Sequence, residues 1–223
     1  MKKPLPVILS VIFGISLVLF IITFSIGLPI YFRFFYYLQI EPLGLPKATG
    51  FSAEQIKTAY NQVLDYLLLP NATFGTGVFA HSAEGASHFA DCKGLFTLNT
   101  VTLICSTVVL IAIFVLKKLG IVKLCRPFGF SVSFISAVSI FVLFAVIALI
   151  VAVDFNSAFI TFHHLFFPGK DNWTFDPNVD QIILALPQQF FMNCAILIVS
   201  AVVIICLSII FFNLITKKKY KKD

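Results

Sequence analysis

Residues 127–153 read PFGFSVSFISAVSIFVLFAVIALIVAV, 27 residues without one Asp, Glu, Lys or Arg. A helix rises about 1.5 Å per residue, so about 20 apolar residues cross a hydrocarbon core about 30 Å thick. In lipid every backbone amide must be satisfied within its own segment, so a run of this kind reads as a membrane-spanning helix. Working outward, the stretches 4–32, 94–116 and 181–216 have the same character. The last is longer than one crossing needs, and its helix is placed at 188–215. Composition agrees: 59% of residues are hydrophobic, 12% are charged, and mean hydropathy is +0.99. Soluble domains run near about 45–50% and about 25%. A cytosolic enzyme, a disordered regulator and a coiled coil are excluded. The expected fold is an all-α polytopic membrane protein, with four transmembrane helices and a small extracytoplasmic domain made from two outer loops.

Charge sets the expected orientation. Lys2 and Lys3 precede the first span, Lys117, Lys118, Lys123 and Arg126 join the second to the third, and five lysines follow the fourth. That places 11 of the 16 basic residues on one side, and the positive-inside rule puts that side, with both termini, in the cytoplasm. The formal charge of +6 is then a topology signal with attraction to anionic lipid, and no nucleic-acid partner is called for. The N-terminus has the look of a signal peptide, but its apolar run exceeds the usual h-region of about 7–15 residues, which favours an uncleaved anchor. The expected order is 1–32 for the N-terminus and first span, 33–93 for outer segment 1, and 94–116 for the second span. A basic loop at 117–127 leads to the third span at 128–153. Outer segment 2 at 154–187, the fourth span at 188–215 and a basic tail at 216–223 complete the chain.

All four histidines fall in the outer segments. In segment 1, Ser52 followed by Gln55 makes a capping-box start, and Ile56, Tyr60, Val63, Leu64, Leu67 and Leu68 recur at helical spacing until Pro70. Gly75 and Gly77 mark a turn or short strand. The stretch His81-Ser-Ala-Glu84-Gly-Ala-Ser-His88-Phe-Ala-Asp91-Cys92-Lys93 then runs straight into the second span. Segment 2 carries Phe162-His163-His164-Leu165-Phe166-Phe167, then Trp173-Thr-Phe175-Asp176-Pro177 and Asp180. Ionisable groups among so many aromatics belong where lipid gives way to water, and imidazole there titrates near neutral pH. A serine hydrolase lacks its G-x-S-x-G elbow. Zinc held by residues such as His81, Glu84, His88, Asp91 and His163 lacks an H-E-x-x-H spacing but stays open, as does metal-free general acid–base chemistry by histidines of two loops. The five cysteines make no disulfide framework, since only Cys92 lies outside the spans on the outer side. The sequons at Asn71 and Asn172 are too short a pattern to carry weight.

The residues His88-Phe-Ala-Asp91-Cys92-Lys93-Gly-Leu-Phe96, with Phe162-His163-His164-Leu-Phe-Phe, Trp173-Thr-Phe-Asp176-Pro177 and the run Asp180 to Phe191, resemble the bacterial lipoprotein intramolecular transacylase family, Lit. Two positions depart from the family pattern: Cys92 replaces a small aliphatic residue and Gln181 a proline. The resemblance implies an acyltransferase, with four spans and its active site on the extracellular face of the bacterial cytoplasmic membrane. Its substrate would be a diacylated lipoprotein in the outer leaflet. The sn-2 acyl chain of the diacylglyceryl group would move to the amine of the N-terminal cysteine, giving a lyso-form lipoprotein. The implied catalytic pair is His88 and His163, either of which could be the base, with His164 in a secondary role or none. Asp91, Lys93, Asp176 and Asp180 are candidates for orienting the imidazoles or pairing with one another, and Trp173 for anchoring at the interface. An ester becoming an amide runs downhill, so no metal or other cofactor is required. Two other readings remain: a non-enzymatic membrane protein binding lipid or a partner through its outer loops, and a metal-dependent hydrolase.

Overall fold

The computed structural model describes the backbone of residues 4–219 and the side chains of residues 5–216. The side chains of Lys2, Lys3 and the tail lysines 217–222 lie outside the described residues. In chain order the helices are α1 (Pro4–Tyr31), α2 (Phe34–Tyr37), α3 (Leu45–Thr49), α4 (Ala53–Leu68), α5 (Ala83–Lys118), α6 (Val132–Val153), α7 (Phe155–Phe166), α8 (Ile182–Ala185) and α9 (Gln188–Lys219). A single 3-10 turn at Pro127–Gly129 precedes α6. Among the described residues there is no strand, and of the turn-or-strand alternative at Gly75 and Gly77 the structure shows a turn at Gly77 with irregular chain at Gly75. Gly77 has φ +60°, and a Cβ there would sit 2.9 Å from the Cβ of Ala59, so backbone handedness and space both require glycine.

Four of these helices, α1, α5, α6 and α9, are long and apolar enough to cross a membrane. The chain is an all-α, multi-pass membrane protein. The helix of the second span starts eleven residues ahead of the apolar run at 94–116. Residues 83–93 are therefore helical rather than loop, because Ser82 supplies a cap: its Oγ accepts from the Gly85 amide at 2.9 Å. Outer segment 2, 154–187, carries a helix that hydropathy does not announce: α7 occupies its first third. Its signal was local. Asp154 caps it, accepting from the Ser157 amide at 3.0 Å.

The chain divides into two compact units. The spanning unit comprises residues 1–26, 100–149 and 198–223. Its small interior is Ile21, Ala137, Ile140, Val202 and Cys206, while residues such as Val108, Ile111, Leu149 and Phe211 face outward, as lipid-facing side chains must. Polar hydroxyls are satisfied across segments: Ser136 Oγ donates to the Gly14 carbonyl at 3.4 Å, and Ser10 Oγ accepts from the Cys125 amide at 2.7 Å.

The site unit comprises residues 27–99 and 150–197. Its core is the buried face of α4 against Tyr36, Leu45, Ile182, Ala185 and Phe190. The α4 start has both arms of the capping box, Ser52 with Gln55. Tyr36 stacks on Tyr60 with centroids 3.8 Å apart and donates its hydroxyl to the Ala185 carbonyl at 2.7 Å. A buried phenol with a partner fixes α8 to α2, where a phenylalanine would leave that carbonyl unpaired. Arg33 pairs with Asp65 of α4.

Candidate active site

His88 lies on the second turn of α5 and His163 on the last turn of α7. Both are buried, at 8% and 7% exposure, and their ring centroids are 5.8 Å apart. The helical register explains how α7 delivers its histidine. Phe155, Phe159, His163 and Phe167 follow one another at i, i+4 spacing, so one face carries the imidazole with its aromatic neighbours. Exposed Leu165 and Phe166 take the other face.

The enclosure is aromatic. Trp173 stacks on His163 with centroids 4.7 Å apart, and Phe159 packs on the same ring at 4.3 Å. Phe167 and Phe175 meet His88 edge-on at 4.9 and 5.6 Å. Burial holds His163 below the ordinary imidazole range, because the charged ring would lose its hydration. His163 Nδ1 lies 2.7 Å from the Phe159 carbonyl oxygen. A carbonyl only accepts, so Nδ1 carries the proton and Nε2 of the neutral ring carries the lone pair. His88 differs. Its Nε2 lies 3.4 Å from Cys92 Sγ, and its Nδ1 is buried with no hydrogen-bond partner.

The remaining candidates distribute unevenly. Asp91 stands one turn beyond Cys92's partner on the same helix, where its carboxylate is paired with Lys170 and accepts from Asn172 Nδ2 at 3.0 Å. Trp173 donates its indole N–H to the Lys170 carbonyl at 2.9 Å, so the loop that positions the indole is also held to α5 through Asp91. Lys93 points elsewhere, donating to the Leu69 carbonyl at 3.0 Å and lying over the Tyr66 ring. Asp176 is exposed and caps its own turn through Asn178. Asp180 is 6% exposed and accepts from the Ser82 amide at 2.7 Å and from the Ser82 hydroxyl at 2.9 Å. It therefore stands at the N-terminus of α5, where a carboxylate also meets the helix dipole favourably. These four groups spend their hydrogen bonds away from the imidazoles: the group that sets the His163 tautomer is a backbone carbonyl of its own helix. His164 is exposed and meets the edge of Trp173 at 5.4 Å. His81 Nδ1 lies 2.8 Å from Thr76 Oγ1.

Sequence reasoning missed Phe159, Lys170 and Asn172. The first was legible in the i, i+4 ladder of α7. The other two pair with Asp91 across a separation of about 80 positions, for which no local pattern exists.

The sequence profile described as lipoprotein intramolecular transacylase Lit matches residues 11–191. A solved structure of the membrane-integral lipoprotein intramolecular transacylase Lit from Bacillus cereus superposes with a TM-score of 0.83 at 23% identity, covering 96% of this chain and 98% of that one. Structures of the same Bacillus cereus protein with one histidine replaced by arginine or by alanine give TM-scores of 0.76 and 0.75, again at 23% identity. They cover 98% and 96% of this chain and 95% and 96% of theirs. No individually curated protein matches. With the profile spanning most of its length, the chain belongs to the lipoprotein intramolecular transacylase family, Lit, whose members are acyltransferases.

Proposed function

We propose that this chain moves the sn-2 acyl chain of a diacylated lipoprotein onto the amine of its own N-terminal cysteine, with His163 as base and His88 as acid. One observation carries the reading: two buried imidazoles from distant parts of the chain meet in one aromatic enclosure, one with a basic lone pair at Nε2 and the other with an unsatisfied buried Nδ1.

Donor and acceptor belong to one molecule. Direct attack closes an eight-membered ring through acyl carbon, oxygen, two glyceryl carbons, sulfur, Cβ, Cα and nitrogen. Medium rings close poorly unless held, so positioning supplies much of the acceleration. The amine nitrogen attacks the acyl carbon, the new C–N bond forms and the C–O bond to the sn-2 oxygen breaks. The N–H proton passes to His163 Nε2, and the leaving oxygen takes a proton from His88 Nδ1. The Cys92 thiol, donating toward Nε2, keeps the His88 proton on Nδ1. One proton returned from His163 to His88 restores the site. Nothing is consumed besides the ester.

The same proposal places the site over the outer leaflet with both termini in the cytoplasm, supported by the bias of basic residues toward the ends and the 117–127 loop. The test is mass spectrometry of a lipoprotein N-terminal peptide from cells carrying the wild-type chain, His88→Ala or His163→Ala. Conversion of the diacyl to the lyso N-acyl form is expected for the wild type alone. Full conversion by both inserted variants would remove the proposed mechanism.

A further inference from the structure

Among the described residues, only two buried side-chain polar atoms have no hydrogen-bond partner: His88 Nδ1 and Asn172 Oδ1. Both residues meet the first turns of α5. Asn172 packs on the turn of α5 that carries His88, its Nδ2 donating to Asp91 Oδ2 at 3.0 Å and reaching Ser87 Oγ at 3.3 Å. The next residue, Trp173, is the one stacked on His163.

The orientation of the Asn172 amide is fixed by chemistry. Turning it over would press its oxygen against a carboxylate oxygen, two acceptors with no proton between them. The NH2 group therefore faces Asp91, and Oδ1 is left as a buried acceptor without a donor. Buried polar groups are nearly always paired, and a native exception points to a group that completes it.

We propose that Asn172 Oδ1 is the acceptor that seats an N–H of the substrate's α-amine. This rests on the acyl-transfer reading above and extends it to the amine's binding group. An attacking amine gains positive charge at nitrogen, so the N–H not taken by His163 becomes a stronger donor as the C–N bond forms. A carbonyl placed on that N–H binds the transition state more tightly than the ground state and raises kcat rather than lowering KM. It also fixes the direction of the nitrogen lone pair, which an eight-membered closure requires.

The experiment uses the full-length protein in lipid vesicles with two synthetic diacylated lipopeptides, one with a free N-terminal amine and one with that amine N-methylated. The variants are Asn172→Leu, close in shape but without acceptor or donor, and Ser87→Ala, which trims only the Nδ2 side. Asn172→Leu is expected to lose about tenfold to a hundredfold in kcat on the free amine with little change in KM. N-methylation is expected to slow the wild type and Ser87→Ala but to add little further loss in Asn172→Leu. A methylation penalty equal in all three proteins, or an unchanged kcat in Asn172→Leu, would overturn the assignment and leave the acyl-transfer reading intact. If the wild type forms no N-acyl product from the free amine, the acyl-transfer reading itself falls, and the seat with it.

Discussion

The same substitution at two glycines of α5 should move stability in opposite directions. At Gly94 a Cβ meets nothing within 4 Å, and the backbone is ordinary helix. Alanine there gains helix propensity of about 0.8–1.0 kcal/mol. At Gly85 a Cβ would fall inside the van der Waals shell of Asp180 Oδ1, with Cγ only 2.9 Å away. A surface carboxylate would swing aside at little cost, but Asp180 is buried and holds the Ser82 amide and hydroxyl. Displacing it gives up hydrogen bonds to a charged acceptor worth about 1.5–3 kcal/mol each, less what water recovers, so Gly85→Ala should cost about 2–4 kcal/mol. Thermal unfolding in one detergent, read side by side for both variants, gives the comparison. Since the clash is with one side chain, the cost of Gly85→Ala should shrink when Asp180 is already alanine. Gly85→Ala should also lose transacylase activity beyond its stability loss, because His88 lies one turn further along the same helix. A Gly85→Ala protein as stable as Gly94→Ala, with full activity, would refute this account of how α5 is anchored.

Three other outcomes follow from the site. Burial lowers the His163 pKa, so its neutral form persists below the ordinary value of about 6.5; activity should be lost on acidification only beneath that value and should rise with alkali as the substrate amine, pKa about 7.7–8.0, loses its proton, as an initial-rate pH profile would record. Cys92→Ala should reduce kcat by about threefold to tenfold with insertion unchanged, since the His88 ring loses one neutral hydrogen bond worth about 0.5–1.5 kcal/mol, and Cys92→Ser should recover most of it in the same assay. Lys170→Met should change the unfolding midpoint little, because its pair with Asp91 is half open to water and such pairs contribute about 0–1 kcal/mol, whereas Tyr36→Phe should lower it clearly by leaving the Ala185 carbonyl unpaired in the core.

Hydropathy made the four spans legible, because a 30 Å hydrocarbon layer imposes a length and a composition that no soluble context imitates. The α4 start was legible too, since Ser52 and Gln55 are close in sequence and their bonds are local. His88 and His163 were legible as a pair only through the family resemblance, since no local pattern brings them together. They stand 75 positions apart on helices joined by two crossings, and the contact depends on where the α5 and α7 starts are capped. The helical status of 83–93 hung on Ser82 and on Asp180, about a hundred positions later. The acidic candidates make their hydrogen bonds to groups other than the imidazoles for a related reason. A carboxylate near a histidine in sequence has several donors to choose from once the chain folds, and Asp91 found Lys170 and Asn172.

The burial of His163 raises an apparent difficulty for a base. An imidazole held below about 6.5 is too weak to take a proton from an ammonium group near about 7.7–8.0 without an uphill step. Solvent performs that first deprotonation for any amine, and a fraction of about a tenth or more is already free at neutral pH. The proton the enzyme must handle is the next one. Once nitrogen bonds to the acyl carbon its remaining N–H groups become far more acidic than those of the free ammonium, so a weak neutral base accepts one downhill. The leaving oxygen, by contrast, departs as a strong base unless a proton meets it, and in the proposed mechanism that burden falls on His88. Burial lowers the pKa of both rings, that of His88 to about 4, so both stay uncharged before reaction, which leaves the proposed base ready to accept and the proposed acid ready to donate. Packing by Trp173, Phe159, Phe167 and Phe175 secures this state. Loosening that shell, as in Trp173→Ala, should hydrate His163 and raise its pKa, moving the acidic limb of the rate profile upward as well as lowering its plateau. A lowered plateau with an unmoved limb would mean that the indole positions the ring without governing its charge.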